Sequence, residues 1–165
     1  MFREMRRKKQ LLSDAESIEI LKTATSGTLA LSGDDGYPYA VPLSFVYKDG
    51  SIYFHIAREG HKLDSIRRSD KASFCVIDKD KVITPELTTH YRSVIVFGRI
   101  RLLEDEAAIK SALECLGEKY SPGYTQRTQQ AIARELKNLA IADLVVEHMT
   151  GKQAIELVPT KEDEK

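Results

Sequence analysis

The chain has 165 residues, 42% of them apolar and 30% charged, and its 25 Lys plus Arg balance 25 Asp plus Glu. That length suits one domain over 1–165 with a single sizeable core, and zero net charge gives no general attraction to nucleic acid or an anionic membrane. No apolar run is long enough to span a bilayer, the basic start "MFREMRRKKQ" lacks the apolar stretch of a signal peptide, and Cys75 and Cys115 are too few for a disulfide scaffold or a zinc pattern.

These exclusions leave a cytoplasmic protein with two reduced thiols. Residues 1–12 form a basic N-terminal segment, and 159–165 a charged tail expected to fray. Ser13 to Glu16 has the spacing of a capping box, and Ile18, Ile20, Leu21 and Ala24 repeat roughly as one helical face. "GTLALS" reads as a short strand and "GDDG", 33 to 36, as a tight turn. In "YPYAVPLSFVY", Tyr39, Val41, Leu43 and Phe45 share one face, and Ala40, Pro42 and Ser44 the other. Pro38 and Pro42 donate no ladder hydrogen bonds, so this strand is expected at an edge, irregular, or paired on one side only where the prolines sit.

"KDG", 48 to 50, closes a hairpin to "SIYFHIA". There Ile52, Phe54 and Ile56 face one way, and Tyr53, His55 and Ala57 the other. After Gly60, "HKLDSIRR" reads as a short helix, and "KASFCVID" as a strand. Residues 79 to 89, with Pro85, read as a loop. "HYRSVIVFGRIRLL", 90 to 103, is the longest strand, with Gly98 a place for a bulge or a close backbone approach. Helices follow over 104–119 and 126–139. "ADLVVEHM" and "AIELV" read as two strands split by a "TGK" turn. Strands joined by hairpins predict a mainly β fold, an antiparallel sheet closed into a barrel or folded on itself. The chain has neither a G-x-G-x-x-G nor a G-x-x-x-x-G-K phosphate loop.

The chemistry-bearing residues are few. In "FHIAREGHK", 54 to 62, a strand leads through Gly60 into a helix. The first turn of a helix presents unpaired N–H groups and partial positive charge, so a phosphate there would meet them together with Lys62, His61 and Arg58. On local chemistry alone a polar strand–helix connection with solvated charges is the simpler reading, because short basic loops are common. His55 lacks partners at metal-ligand spacing, so no metal site is expected. Ser44, Ser93 and Cys75 lack a nucleophile elbow. In "HYRSV", Tyr91 and Ser93 share one strand face and His90 and Arg92 the other, which suits a ligand groove, a subunit contact or simply a wet face.

Taken together, "MRRKKQLLS", "GTLALSGDDGYPYAVPLSFVY", "IYFHIAREGHK", "YRSVIVFGRIRLL" and "EHMTGKQAIEL" occur in one order over roughly residues 5 to 157. In that order they resemble the FMN-binding split-barrel proteins related to pyridoxamine 5′-phosphate oxidase, and most of all the Nim-type group named for 5-nitroimidazole resistance. The resemblance implies a six-stranded antiparallel split barrel. It also implies a homodimer with FMN, FAD being the second choice, in the groove between subunits. Tyr39, Val41, Pro42, Leu43 and Ser44 would run along the flavin ring, and His55 and Ala57 would approach the ring and ribityl chain. Gly60, His61 and Lys62 would hold the phosphate, and Tyr91, Arg92 and Ser93 would complete the site from the partner subunit. His55 is the candidate proton donor.

The expected activity is flavin-dependent reduction of a small molecule, with nitroimidazoles or other nitroaromatics as candidate acceptors. Two alternatives stand beside it: a flavin-binding or redox-sensing protein without turnover, and a split barrel that binds FAD or haem. The family's basic strand that holds the FMN phosphate in true oxidases is replaced here by "YAVPLS", so oxidation of pyridoxamine phosphate itself is not expected.

Overall fold

Two tight hairpins start the sheet. The computed structural model describes residues 1–136 and 138–159, so the expected fraying at 160–165 lies outside the described residues. Helix α1, Asp14–Thr23, begins with the anticipated capping box: the Ser13 hydroxyl accepts from the Glu16 N–H, and the Glu16 carboxylate accepts from the Ser13 N–H. Strands β1, Gly27–Ser32, and β2, Pro38–Leu43, are joined across the 33–36 turn. Strands β3, Val46–Lys48, and β4, Ser51–Ala57, flank Asp49 and Gly50, both at positive φ (49° and 83°), as a two-residue hairpin turn that follows the sheet twist requires. Helix α2 spans His61–Arg68, as read from the sequence.

The remaining strands are longer than expected and the two late helices shorter, the second ending at Glu135 and not at 139, where the last strand begins. Strand β5 runs Lys71–Ile83 and β6 Thr88–Leu102, followed by α3, Glu106–Tyr120, α4, Thr125–Glu135, and β7, Leu139–Gln153. Residues 79 to 83 and 88 to 89 are not loop. They extend the β5–β6 ladder from Lys79↔Arg92 to Ile83↔Thr88, around a short turn at Thr84–Glu86. The run Asp78-Lys79-Asp80-Lys81 has no apolar face because this part of the hairpin projects beyond the core, so backbone pairing alone defines it. No "TGK" turn breaks β7 either. Gly151 stays in the strand, and a Cβ there would overlap the Ser17 hydroxyl and the Leu12 side chain. The expected last strand "AIELV" is instead a short turn, Ile155–Leu157.

The sheet has seven strands, not six, in the order β2-β1-β5-β6-β7-β4-β3, all antiparallel. The extra strand arises because the run 38–48 breaks at Ser44–Phe45. That break sets the shape of the molecule. Strands β2 and β3 are the two outer strands, yet only two residues join them. The sheet must therefore curl until its edges meet at this corner. No β2–β3 ladder exists among the described residues, so hydrogen bonds do not close the curl. Gly98 serves as anticipated: the β6–β7 register shifts between Phe97 and Gly98, and a Cβ there would overlap the Val145 carbonyl.

Inside the curl lie Leu29, Leu31, Ile52, Phe54, Phe74, Val76, Val94, Val96 and Leu144, closed by Ile20 and Leu21 of α1 and Leu63 and Ile66 of α2. Phe74 meets Phe45 and Phe54 edge-on at 4.8 and 5.1 Å between ring centroids. Ala112, Leu113 and Leu116 of α3 pack separately on Val46 and Ile141. Among the described residues no helix is long and apolar enough to cross a membrane.

Candidate functional site

The stretch 58–62 leaves β4, the second strand from one sheet edge, and starts α2. Gly60 makes this possible. Its backbone lies at φ 100°, ψ 176°, a region that side chains with a Cβ rarely adopt. No atom lies within 4 Å of where its Cβ would be, so the approach to the peptide is open. No side chain caps α2, which leaves its first amides without a side-chain acceptor. Lys62 is half-buried and forms no ion pair among the described residues. Arg58, expected beside Lys62 and His61, turns elsewhere: its Nε donates to the Leu139 carbonyl at 2.9 Å.

His61 is tied to β2. Its ring stacks on Tyr39 at 4.0 Å between centroids and 19° between planes. The Asp34 carboxylate lies 3.6 Å from its Nε2. Asp34 is itself held by Arg68, at the far end of α2, whose guanidinium donates to it at 2.7 Å and to the Gly33 carbonyl at 3.1 Å. Sequence reasoning missed both Asp34 and Arg68. Asp34 sits in a stretch that signals only a turn, and its partner lies 34 residues away, so no local pattern marks the pair.

Along β2 the side chains alternate as expected. Tyr39, Val41 and Leu43 are half-buried against the core, while Ala40, Pro42 and the following Ser44 are exposed. Strand β2 pairs only with β1, so its other edge has no ladder among the described residues. The β3–β4 ladder stops at Val46↔Tyr53. Continued in the same register, it would set Ser44 opposite His55 and Pro42 opposite Ala57. There the strands part instead, leaving two open edges on either side of a split that ends at Gly60. His55 and Ala57 are exposed on the outer face of β4, and the His55 ring makes no hydrogen bond among the described residues.

Tyr91, Arg92 and Ser93 are not part of this split within one chain. They lie on β6, with β5 and β1 between them and β2, and β7 between them and β4. They also divide between faces. Arg92 turns toward α1, where it meets Glu16 at 3.5 Å and Asp78 at 3.9 Å, and its Nε is buried without a hydrogen-bond partner among the described residues. Tyr91 faces the opposite side, with the Lys152 ammonium 5.3 Å from its ring centre.

Comparisons with known proteins give the family and the fold. The family model described as pyridoxamine 5′-phosphate oxidase matches residues 13–153. A conserved hypothetical protein of Mycobacterium tuberculosis superposes with a TM-score of 0.80 at 21% identity, over 95% of each chain. A 5-nitroimidazole antibiotic resistance protein of Bacteroides thetaiotaomicron, so described provisionally, superposes at 0.71 and 21% identity, over 87% of this chain and 86% of that one. An FAD and heme binding protein of Mycobacterium smegmatis superposes at 0.77 and 25% identity, over 94% of this chain and 78% of its own. No curated protein matches the chain significantly in sequence.

Proposed function

The chain belongs to the pyridoxamine 5′-phosphate oxidase family, and from that premise we propose that it is a cytoplasmic FMN-dependent oxidoreductase acting on a small molecule, with nitroimidazoles and other nitroaromatics as candidate acceptors. The observation that carries this reading is the Gly60–Lys62 turn. An open peptide at positive φ, uncapped helix amides and an unpaired lysine together suit a phosphate monoester. FAD is the alternative flavin, since the Mycobacterium smegmatis relative is described as binding it. Two free thiols, Cys75 and Cys115, fit the cytoplasm.

The flavin, when bound, supplies two-electron transfer; the protein supplies position, charge and solvent access. Lys62 and the α2 amides would hold its phosphate. His61, fixed by Tyr39 and Asp34, sets the end of the split. The free edge of β2 would hold the ring through backbone groups, a role that Pro42 permits because its carbonyl still accepts. His55, exposed and without a hydrogen-bond partner among the described residues, would hand a proton to an acceptor.

A second copy of the chain completes the site in this reading. The outer face of the sheet carries the cross-strand rows Thr28–Cys75–Ile95–Thr150 and Ala30–Ser73–Phe97–His148. Ile77, Ile95 and Phe97 on that face are 64%, 42% and 39% exposed, more apolar surface than a monomer's sheet face usually leaves wet. A partner on this face would bring its own Tyr91 and Ser93 toward the first chain's split, whereas Arg92, turned toward α1, would stay on the inner side of its own sheet.

The test is the visible spectrum of the purified protein, the mass of the released cofactor and the molecular mass in solution. A yellow dimer that releases FMN, and whose flavin is reoxidised by a nitroaromatic after chemical reduction, supports the reading. A colourless chain that fails to bind added FMN removes it. Bound flavin that no acceptor reoxidises leaves a flavin-binding protein without turnover.

A further inference from the structure

We infer that Tyr120 is a positioning residue for the reacting end of the split: its hydroxyl holds the β2–β3 corner, and through the corner it sets the spacing of Ser44 and His55. This rests on the flavin reading and brings α3 into the site.

The corner needs a partner from elsewhere in the chain. Phe45 lies past the last pairs of both neighbouring ladders, Gly27↔Leu43 and Val46↔Tyr53. It is fully buried, so its backbone N–H and carbonyl cannot turn to water and must be paired within the fold. One hydroxyl serves both. Tyr120 Oη accepts from the Phe45 N–H at 2.8 Å and lies 3.0 Å from the Phe45 carbonyl. It also lies 2.5 Å from the carbonyl of Thr25, in the link between α1 and β1. A phenol has a single proton to donate, so the two carbonyls share it. The hydroxyl thus ties three segments together: the end of α3, the approach to β1 and the corner.

The hydroxyl stands on a fixed base. Tyr120 is the last residue of α3, and that helix packs through Ala112, Leu113 and Leu116 on Val46, the residue after Phe45. Lys119, one residue earlier, holds its ammonium 3.9 Å from the centre of the Phe45 ring and donates to the Leu21 carbonyl at 3.4 Å. Tyr120 itself remains 38% exposed. A ring so wet adds little packing, so its contribution to the corner is the hydroxyl.

The corner and the phosphate turn are opposite ends of one split. Past Val46↔Tyr53, the β3–β4 register would bring Ser44 and His55 face to face just beyond the corner. At the other end His61 stacks on Tyr39 beside Gly60. With its phosphate at Gly60–Lys62, a flavin would extend its ring toward the corner. In reoxidation by a nitro compound, the nitro group is reduced to a nitroso group and water. It takes two electrons and one proton from the reduced flavin and a second proton from His55, which regains it from solvent. That step, unlike phosphate binding, depends on the Ser44–His55 spacing, and a misplacement of about 1 Å can slow such a step by about a hundredfold.

The experiment compares Tyr120→Phe with the wild-type chain and with Asp105→Ala. The second variant removes the cap at the other end of α3, where Asp105 Oδ2 accepts from the Ala108 N–H at 2.8 Å. Three quantities are read: amide hydrogen exchange at Phe45 in the flavin-free chain, FMN affinity by fluorescence titration, and the rate at which a nitroaromatic reoxidises the flavin after reduction with dithionite. Tyr120→Phe should exchange the Phe45 amide at least about tenfold faster, bind FMN within about threefold of wild type, and reoxidise at least about tenfold more slowly. Asp105→Ala should lower Tm but leave both rates within about threefold of wild type. An unchanged Phe45 exchange or reoxidation rate in Tyr120→Phe would overturn the proposal. So would a loss of FMN affinity as large as the loss of rate, or equal slowing in Asp105→Ala, since either marks a general loosening of the fold. A wild-type chain that binds no FMN, or holds it without reoxidation, overturns the flavin-enzyme reading itself, and the proposal falls with it.

Discussion

The Tyr39 ring lies stacked on the His61 ring, 4.0 Å between centroids, and so ties the edge strand β2 to the first residue of α2. Tyr39 comes from the β1–β2 hairpin and His61 from the helix that follows β4, and their contact sets the end of the split between β2 and β4. An aromatic pair adds about 0.5–1.5 kcal/mol beyond its burial. Tyr39→Phe should therefore keep stability within about 0.5 kcal/mol, while Tyr39→Ala should cost about 2 kcal/mol or more. Urea midpoints check this. Equal losses would mean that the hydroxyl, not the stack, carries the contact.

Gly60 is expected to be irreplaceable for backbone reasons. Space around it is open, but φ 100° with ψ 176° lies where a Cβ is strained. Gly60→Ala should cost roughly 1–3 kcal/mol. If equilibrium unfolding shows no loss, the turn relaxes to another conformation.

Lys62 is expected to act on affinity rather than on turnover. A charge-assisted hydrogen bond to phosphate contributes about 1.5–3 kcal/mol, so Lys62→Ala should weaken FMN by about 10- to 100-fold. His55→Ala, in contrast, should keep FMN and slow the reoxidation of reduced flavin by a nitro acceptor. Fluorescence titration and single-turnover kinetics read the two effects separately. A His55→Ala variant that reoxidises at the wild-type rate would end its proposed role.

Lys119 makes stability depend on pH. Burial pushes its ammonium down from 10.5 to about 8, and its Nζ lies 3.9 Å from the centre of the Phe45 ring. Between these two values the unfolded chain holds the proton more firmly than the folded one. This group's contribution therefore rises with pH across that window, and its penalty is full below about pH 8. Burial raises the Cys75 thiol, which acts in the opposite direction above its ordinary value of 9.0. The Tm difference between Lys119→Met and wild type cancels the cysteine. It should favour the variant at pH 7 and shrink toward pH 10.5; a difference that does not vary with pH would contradict the burial effect.

At the other end of the pH scale, the Ser13 backbone N–H, then its hydroxyl, and then Arg92 hold the Glu16 carboxyl below its ordinary value of 4.5. That contribution is present above 4.5 and is lost as pH falls through the lowered value. Ser13→Ala should cost about 1 kcal/mol at neutral pH, and less in acid. Denaturant unfolding at two pH values checks it.

Where local chemistry decides structure, the sequence was sufficient. The capping box at Ser13, the Asp49–Gly50 turn, the bulge at Gly98 and the start of α2 after Gly60 each depend on a few adjacent residues whose conformational preferences are strong. The inward faces of β2 and β4 were legible for the same reason, since alternation encodes burial. Resemblance of ordered motifs identified the family, although none of them alone was specific. The tertiary structure decided what depends on distant partners. It broke the run 38–48 at Phe45, whose N–H donates to the Tyr120 hydroxyl 75 residues away. It kept Gly151 in a strand because Leu12 and Ser17 press on it, and it extended the charged β5–β6 hairpin by backbone pairing that leaves no hydrophobic pattern. It also turned Arg58 away from the Gly60–Lys62 turn and joined His61 to Tyr39 and Asp34, and Asp34 to Arg68. Composition and periodicity report the burial of a residue, but the identity of its neighbour is a property of the folded chain.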